Sequence, residues 1–249
     1  MLATDEMAKH QAMMAKIEAG QKLESIDEVT QDYKDCLLKL MIGQADSELA
    51  GAYGYVPWIE GAPNVAEKLA MANIVKDEVR HAKAMYDLLD RVGVDTHKLI
   101  LEDNMKNRMH VFYEPIRTWA DLVMFNFLMD RAAGHQLRDA AACSWGPWAR
   151  TIVQIEKEEL MHVRHGETWV RKLALDPATK PEIQKALEFW FPKVNKVFGK
   201  SGTNSNQKFQ TYKLKQRDNN VVRKIWYDEC KELLDSYGLQ IPSIDCMES

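Results

Sequence analysis

The sequence predicts an all-α protein, a helical bundle built from two helix hairpins that a long crossover connects. Three observations indicate this fold class. Apolar residues recur at the spacing of amphipathic helices over several long segments. Breaks rich in glycine, proline and asparagine divide these segments into pairs. No stretch alternates convincingly between apolar and polar residues, as a half-buried strand would, so we expect no substantial sheet.

The first hairpin is expected between residues 27 and 91. Apolar positions recur at helical spacing over residues 27–55 and again over residues 65–91. The break Gly-Ala-Pro-Asn lies between them, and its last residue, Asn64, suits the N-cap of the second helix. Gly93 suits the left-handed residue that commonly follows the end of a helix.

The second hairpin follows a mixed crossover, residues 94–117, in which we expect some helix. Thr118 and Asp121 form a capping-box pattern before a predicted helix over residues 119–142. After the break Ser-Trp-Gly-Pro, another helix is predicted over residues 148–173. Two hairpins joined by a long crossover have the connectivity of ferritin-like bundles rather than of simple up-down bundles.

The predicted domain organisation is an N-terminal arm, residues 1–26, followed by one ferritin-like helical domain, residues 27–249. A chain of 249 residues can bury a sizeable core in such a domain. The four-helix bundle accounts for residues 27–175, and additional C-terminal helices occupy residues 178–249. Those helices are predicted over residues 180–197 and 219–237, with a polar loop over residues 200–206.

Composition and charge favour a cytoplasmic protein that binds neither nucleic acid nor a membrane. The net charge is −4 and the pI about 6.0, with both signs spread along the chain. The polar start is unlike a secretory signal, and no apolar run reaches the roughly 18 residues that span a bilayer. Cys36, Cys143, Cys230 and Cys246 are far apart, which favours reduced thiols over a disulfide scaffold or a cysteine-ligated zinc site.

Two copies of Glu-x-x-His carry the chemistry of this sequence, namely Glu78 with His81 and Glu159 with His162. Residues three apart lie on one face of a helix, so each pair presents a carboxylate and an imidazole to one point. Two such helices that face each other offer four ligands to two adjacent metal ions. In carboxylate-bridged di-iron or di-manganese bundles, each of the other two helices adds a carboxylate.

The first missing carboxylate is predicted to be Glu48. Residues equidistant from the turn of an antiparallel hairpin lie at the same height. The midpoint between Glu48 and Glu78 is Pro63, which lies in the break between the two predicted helices. Glu48 is therefore expected to face Glu78 across the hairpin.

The second missing carboxylate is predicted to be Asp130. The midpoint between Asp130 and Glu159 falls between Ser144 and Trp145, again within a break. The rival Asp121 gives a midpoint inside the predicted third helix, so we reject it. Because aspartate is one methylene shorter than the usual glutamate, we expect Asp130 to reach only one metal ion or to hold it through water.

The predicted metal site therefore contains four carboxylates and two imidazoles. Four buried carboxylates together would be untenable without cations, and two divalent ions neutralise them. Oxygen and nitrogen ligands without a thiolate suit iron or manganese better than structural zinc. The predicted ligands are Glu48, Glu78, His81, Asp130, Glu159 and His162. Their expected buried neighbours are Ala45, Leu49, Val79, Phe127, Met129 and Leu160.

Four residues near the motifs have two interpretations each. Asp77 and Asn126 could orient the ligand histidines through the second ring nitrogen, although a solvated face is the favoured interpretation of Asp77. Tyr53 and Tyr55 follow the first carboxylate closely enough to form a radical, although packing is the favoured interpretation of both.

Three further groups also remain open. His135 and His165 lie near the motifs but outside the mirrored pattern. Gly51, Ala52 and Gly134 either leave room for dioxygen and substrate or let helices pack closely. A basic run in the C-terminal part forms a solvated helix surface or receives the phosphates of a coenzyme A thioester. That run is Lys208, Lys213, Lys215, Arg217, Arg223 and Lys224.

Three longer stretches resemble the phenylacetic acid catabolic family, and most closely its catalytic subunits. They are Asn-Ile-Val-Lys-Asp-Glu-Val-Arg-His at 73–81, Phe-Asn-Phe-Leu-Met-Asp-Arg-Ala at 125–132 and Tyr-Gly-Leu-Gln-Ile-Pro at 237–242. The resemblance covers about residues 28–243, and the double Glu-x-x-His is its most specific part.

The resemblance implies the catalytic subunit of a multicomponent di-iron monooxygenase, which activates dioxygen and epoxidises or hydroxylates an aromatic acyl-CoA such as phenylacetyl-CoA. It implies two bound irons, with manganese also compatible with the ligands, and electrons from an iron–sulfur flavin reductase. The expected partner is a metal-free structural subunit of the same family, or a second copy of the chain. The alternatives are a ferritin-like ferroxidase or iron-binding protein, a non-catalytic scaffold and a radical-generating di-metal subunit.

Overall fold

Two helix hairpins form the centre of the molecule, and the predicted all-α, ferritin-like bundle is confirmed. The computed structural model describes residues 2–243, so Cys246 lies outside the described part. Within residues 2–243 no strand occurs. The helices are α1 (Leu2–Glu18), α2 (Gln31–Tyr55), α3 (Trp58–Gly61), α4 (Val65–Arg91), α5 (Trp119–Ala141), α6 (Gly146–Leu175), α7 (Lys180–Asn195), α8 (Asn204–Thr211) and α9 (Asn219–Ser236).

Side-chain caps fix where the bundle helices begin. Asn64 accepts a hydrogen bond from the backbone N–H of Glu67 at the start of α4, as the sequence predicts. Thr118 and Asp121 form the predicted capping box at the start of α5. Helix α2 begins four residues later than predicted, because Thr30 caps it and a short 3-10 turn precedes that cap.

A polar layer divides the core of the bundle into two apolar clusters. Along α2, the buried side chain of Leu49 belongs to one cluster and that of Tyr55 to the other. Along α4 the order is reversed, since Ile74 and Ala82 belong to opposite clusters. The buried side chains of α5 and of α6 also divide between the two clusters, and the order of the clusters is opposite along the two helices. The layer between the clusters contains positions 48, 78–81, 130 and 159–162.

The C-terminal helices cover one side of the second hairpin. Helices α7 and α9 pack against α5, and Trp190 and Trp226 are fully buried there. The prediction of a loop throughout residues 200–206 is wrong, because α8 begins at Asn204. Thr203 caps this helix, and Phe209 is buried on its inner face.

The N-terminal arm is helical over most of its length. Met13 and Ile17 of α1 are buried in the same apolar cluster as Leu37 and Met41 of α2. The arm boundary at residue 26 and the organisation of the rest as one domain stay predictions. No helix of the described part combines the length and the apolar character needed to cross a bilayer.

Gly166 allows α6 to approach α5 closely beside the polar layer. A Cβ atom at this position would lie 2.5 Å from the backbone nitrogen of Phe127 and 2.8 Å from the Asn126 Oδ1. Gly134 is also buried in a bundle helix, but a Cβ atom there would have no described neighbour within 4 Å outside its own helix.

We predict that Gly166→Ala lowers the free energy of unfolding by about 1–3 kcal/mol, because the added methyl group forces the two helices apart. Gly134→Ala is the matched control. It should be neutral or stabilising by up to about 1 kcal/mol, since alanine favours the helix. Chemical denaturation measures both changes, and equal stability of the two variants would contradict the close contact.

Candidate metal centre

The structure brings all six predicted ligands together in the polar layer. Their potential ligand atoms form two overlapping groups, and the atoms of each group lie within 4.8 Å of one another. Glu159 belongs to both groups, so it occupies the middle of the site. The first group is Glu48, Glu78, His81 and Glu159, and the second is Asp130, Glu159 and His162. All of these side chains except the partly exposed Glu48 are buried.

The Nδ1 atom of each histidine lies beside one carboxylate of its own hairpin and one of the other hairpin. The Nδ1 of His81 lies 3.0 Å from Glu159 Oε1 and 3.7 Å from Glu48 Oε2. The Nδ1 of His162 lies 3.3 Å from Glu78 Oε1 and 3.4 Å from Glu159 Oε2. The two motifs therefore interlock, and the Nδ1 atoms point at shared carboxylates.

The buried histidine nitrogens fit a metal site. Neither Nδ1 atom, of His81 or of His162, has a hydrogen bond of acceptable geometry to any described residue. An unsatisfied buried polar atom costs about 1–3 kcal/mol, so such atoms call for a partner. A divalent cation among these carboxylates would accept both lone pairs. The mixed oxygen and nitrogen donors suit iron or manganese.

The electrostatics of the metal-free centre show how strongly it demands cations. Burial and the charge of Glu159 raise the pKa of Glu78 and of Asp130 well above their ordinary values. Burial would raise the pKa of Glu159 as well, but His162 and His81 lower it to about 2. Burial alone would lower the pKa values of both histidines, yet adjacent carboxylates raise them to about 11 for His81 and about 12 for His162. These opposing shifts show that the clustered carboxylates require positive charge, which divalent cations would supply.

An acidic residue on the opposite helix faces the second ring nitrogen of each ligand histidine. Glu158 Oε2 lies 2.9 Å from His81 Nε2. Asp77 Oδ2 lies 3.7 Å from His162 Nε2, and Asp77 also pairs with Arg80. Asp77 is partly exposed and also pairs with the exposed Lys76, so both interpretations of Asp77 stay open. Glu158 is not among the residues predicted from the sequence, although both motifs carry an acidic residue directly before the predicted ligand glutamate.

Asn126 and Tyr55 contact Asp130 rather than the ligand histidines. Asn126 Nδ2 donates a hydrogen bond to Asp130 Oδ2, and the Tyr55 hydroxyl lies 3.5 Å from Asp130 Oδ1. Tyr55 is buried, whereas Tyr53 is 53% exposed. His165 Nδ1 lies 3.1 Å from Asn126 Oδ1, so this histidine also connects to the site.

Two of the expected buried neighbours are exposed. Val79 is 42% exposed and Leu160 is 50% exposed, so the prediction of their burial is wrong. Each directly follows a ligand glutamate and is therefore rotated by about 100° around the helix, away from the core. The other expected neighbours are buried: Ala45, Leu49, Phe127 and Met129.

A cavity of about 400 Å³ opens onto the carboxylates. Apolar side chains form its walls beside the metal centre, which suits an aromatic guest. These walls are Met109, Phe112, Phe125 and Met129. Gly51 adjoins Phe112 so closely that a Cβ atom there would lie 3.3 Å from the ring. The small residue therefore contributes to the space beside the centre.

Buried polar side chains of α2 hold the crossover over this cavity. Asp46 Oδ2 accepts hydrogen bonds from the backbone and side-chain nitrogens of Asn107, at 3.0 and 3.1 Å. Ser47 Oγ accepts one from the backbone N–H of Met109, at 3.0 Å. These bonds bring Met109 and Phe112, both from the crossover, into the cavity wall.

Lysines line the outer part of the cavity. Lys39 and Lys200 are exposed, and Lys215 is partly buried. Lys39 lies nine residues before Glu48 on α2, which corresponds to about 14 Å along the helix. Of the basic run singled out in the sequence, only Lys215 lines this described cavity. Burial lowers the pKa of Lys215, so an anion beside it would stabilise its charged form.

Together these features define a class of protein, a ferritin-like helical bundle whose centre can hold metal ions through carboxylates and imidazoles. The family model described as phenylacetic acid catabolic protein matches residues 7–249, and the chain belongs to that family.

Two relatives show the range of the similarity. The chain is 29% identical over 248 residues to the A component of the 1,2-phenylacetyl-CoA epoxidase of Escherichia coli (strain K12), a match that covers 96% of this chain and 79% of the relative. It is 25% identical over 219 residues to benzoyl-CoA oxygenase component B of Aromatoleum evansii. That match covers 76% of this chain and 46% of the relative, so the chain spans about half the length of the second protein.

We predict that the affinity of the centre for Mn²⁺ falls as the pH is lowered from about 8 to about 6. In the metal-free protein the pKa values of His81 and His162 are about 11 and about 12, so both hold protons throughout this range. For each proton that the metal must displace, the apparent affinity falls about tenfold for each unit by which the pH is lowered. Calorimetric titration in buffers of different ionisation enthalpy measures the affinity and the released protons. Affinity independent of pH would contradict the prediction.

Proposed function

We propose that this chain is the catalytic subunit of an oxygenase that acts on an aromatic acyl-CoA, and that Glu48, Glu78, His81, Asp130, Glu159 and His162 hold two iron ions. The observation that carries the proposal is the opening of the carboxylate and imidazole centre onto an apolar cavity. The names of both relatives, one an epoxidase and the other an oxygenase, support it.

The protein's own residues would hold and orient the reactants. Bound iron would supply the activation of dioxygen. Glu158 and Asp77 would orient the ligand histidines through their outer nitrogens and keep the metal-facing nitrogens free of protons. Phe112 and Phe125 would hold an aromatic ring beside the centre and exclude water from it. These roles require no nucleophile or general acid from the side chains.

The outer lysines suit the coenzyme A part of the substrate. A coenzyme A thioester carries phosphate groups at the end remote from its acyl group. The cavity suits such a molecule, with Lys39, Lys200 and Lys215 on one side of the carboxylates and the aromatic walls on the other, so the acyl group would reach the aromatic walls past the proposed metal ions. Phosphate groups bind lysine ammonium groups through charge-assisted hydrogen bonds.

Electrons and partner subunits complete the proposal. Oxygen activation by two ferrous ions consumes electrons, which we assign to an external iron–sulfur flavin reductase. A structural subunit of the same family, or a second copy of this chain, would complete the assembly. Both relatives are named as parts of larger enzymes, which supports a multicomponent system.

A second candidate, a radical-generating di-metal subunit, is favoured by one observation. The buried hydroxyl of Tyr55 lies 3.5 Å from Asp130 Oδ1. A stable tyrosyl signal in the paramagnetic resonance spectrum after exposure to oxygen, lost in Tyr55→Phe, would support this candidate over the oxygenase.

The oxygenase proposal predicts two irons per chain and conversion of an aromatic acyl-CoA. The experiment reduces the iron-loaded protein without oxygen, adds phenylacetyl-CoA or benzoyl-CoA, admits oxygen and identifies products by mass. His81→Ala and His162→Ala should each lower product yield by about 100-fold or more, because a direct ligand of the metal is lost.

His135→Ala is the control for this experiment, since His135 pairs with Glu229 and contacts none of the six ligands in the described structure. It should retain iron and activity. Fewer than one iron per chain in the wild type, or unchanged turnover in both ligand variants, would refute the proposal.

We predict that Lys215→Met raises the KM for the acyl-CoA by about tenfold with little change in kcat, because the lost charge serves binding rather than chemistry. Lys213→Met is the matched control, since Lys213 is a neighbouring lysine that is exposed and does not line the cavity. Steady-state kinetics of both variants provide the measurement. Equal changes of KM in the two variants would contradict a role of Lys215 in substrate binding.

A further inference from the structure

We propose that Glu67, His165 and Asn126 form a positioning chain for Asp130. The inference rests on the proposed metal centre, but concerns residues outside the six ligands. Asn126 Nδ2 donates a hydrogen bond to Asp130 Oδ2. His165 Nδ1 lies 3.1 Å from Asn126 Oδ1, and His165 Nε2 lies 2.8 Å from Glu67 Oε2. The chain thus links α4, α6 and α5 and ends on the least conventional ligand.

Chemistry fixes the direction of the hydrogen bonds that Asn126 makes. With cations bound, Asp130 would be ionised and could only accept, so the amide nitrogen of Asn126 must face it. The amide oxygen of Asn126 then faces His165, and because it can only accept, His165 Nδ1 must carry a hydrogen atom. Glu67 Oε2 lies beside the other ring nitrogen and holds the imidazole ring in place. The Nδ1–H of His165, oriented in this way, keeps the amide of Asn126 from rotating.

Asp130 gains a defined orientation from this support. Its terminal torsion is soft, and its short side chain cannot reach far, so the position of each carboxylate oxygen matters. Asn126 is 1% exposed, and its amide nitrogen and oxygen contact Asp130 and His165 rather than solvent. With Oδ2 held by Asn126, the carboxylate presents a defined edge to the group formed with Glu159 and His162. Outer partners of this kind typically contribute 10–100-fold to metal affinity.

The protein contains a matched control for this chain. His135 on α5 is also buried and also meets a glutamate, since its Nε2 lies 2.7 Å from Glu229 Oε2. Its other nitrogen contacts Arg138. The pair joins α5 to α9 and does not reach the metal centre, so it has the same chemistry without the proposed role.

The experiment titrates the metal-free full-length chain with Co²⁺ alone and records the visible absorption, which reports the geometry of each ion. We expect His165→Phe and Asn126→Leu to weaken one of the two bound ions by about 10–100-fold and to shift its absorption band. The other ion should keep the wild-type affinity. His165→Gln retains a donor toward Asn126 and should restore most of the affinity, whereas His135→Phe should leave both ions unchanged.

Wild-type affinity and absorption for both ions in His165→Phe and Asn126→Leu would overturn the positioning role. Equal loss in His135→Phe would also overturn it, because the effect would then be general destabilisation. Should His165→Phe fail to fold by circular dichroism, Glu67→Ala decides, because it removes the contact with His165 Nε2, and unchanged binding in that variant overturns the inference. A wild-type chain that does not bind two Co²⁺ ions would instead refute the metal centre itself.

Discussion

The burial of four carboxylates between two apolar clusters is the constraint on which the rest of the structure depends. Such a layer can exist only with compensating positive charge, which His81 and His162 supply in part and metal ions would supply in full. Because each histidine meets carboxylates of the other hairpin, the same contacts that balance charge also fix how the hairpins face each other. The balance of charge in the layer and the packing of the two hairpins therefore depend on the same contacts.

Polarity changes along the cavity. Lysines line one side of it, carboxylates lie in the polar layer, and aromatic side chains lie beyond that layer, since Lys39, Glu48 and Gly51 follow one another along α2 and Gly51 adjoins Phe112. Gly51 leaves room beside the Phe112 ring and Glu78, since a Cβ atom there would lie 3.3 Å from that ring. The division of the core into two clusters thus creates both the charged layer and the space beside it.

Regular helix geometry explains how much of the site could be predicted from the sequence. Reflection across each hairpin turn identified Glu48 and Asp130, because both hairpins are antiparallel and unbroken beside the site. The same geometry gives only positions along a helix, so it could not show that Glu158 reaches across to His81. Helix α8 was missed because its polar composition resembles a loop, and the cap at Thr203 outweighs that composition.

The residues proposed to bind metal and two of the residues that shape the cavity lie in different parts of the chain. All six proposed ligands lie on bundle helices, whereas Met109 and Phe112 reach the cavity from a connection tied down by Asp46 and Ser47. Side chains of the crossover can therefore be exchanged while the proposed ligands stay in place on the bundle helices. Descendants of one ancestor could in this way acquire new substrates while they keep the same metal chemistry. A library of variants with substitutions only in the crossover would reproduce that divergence of substrates.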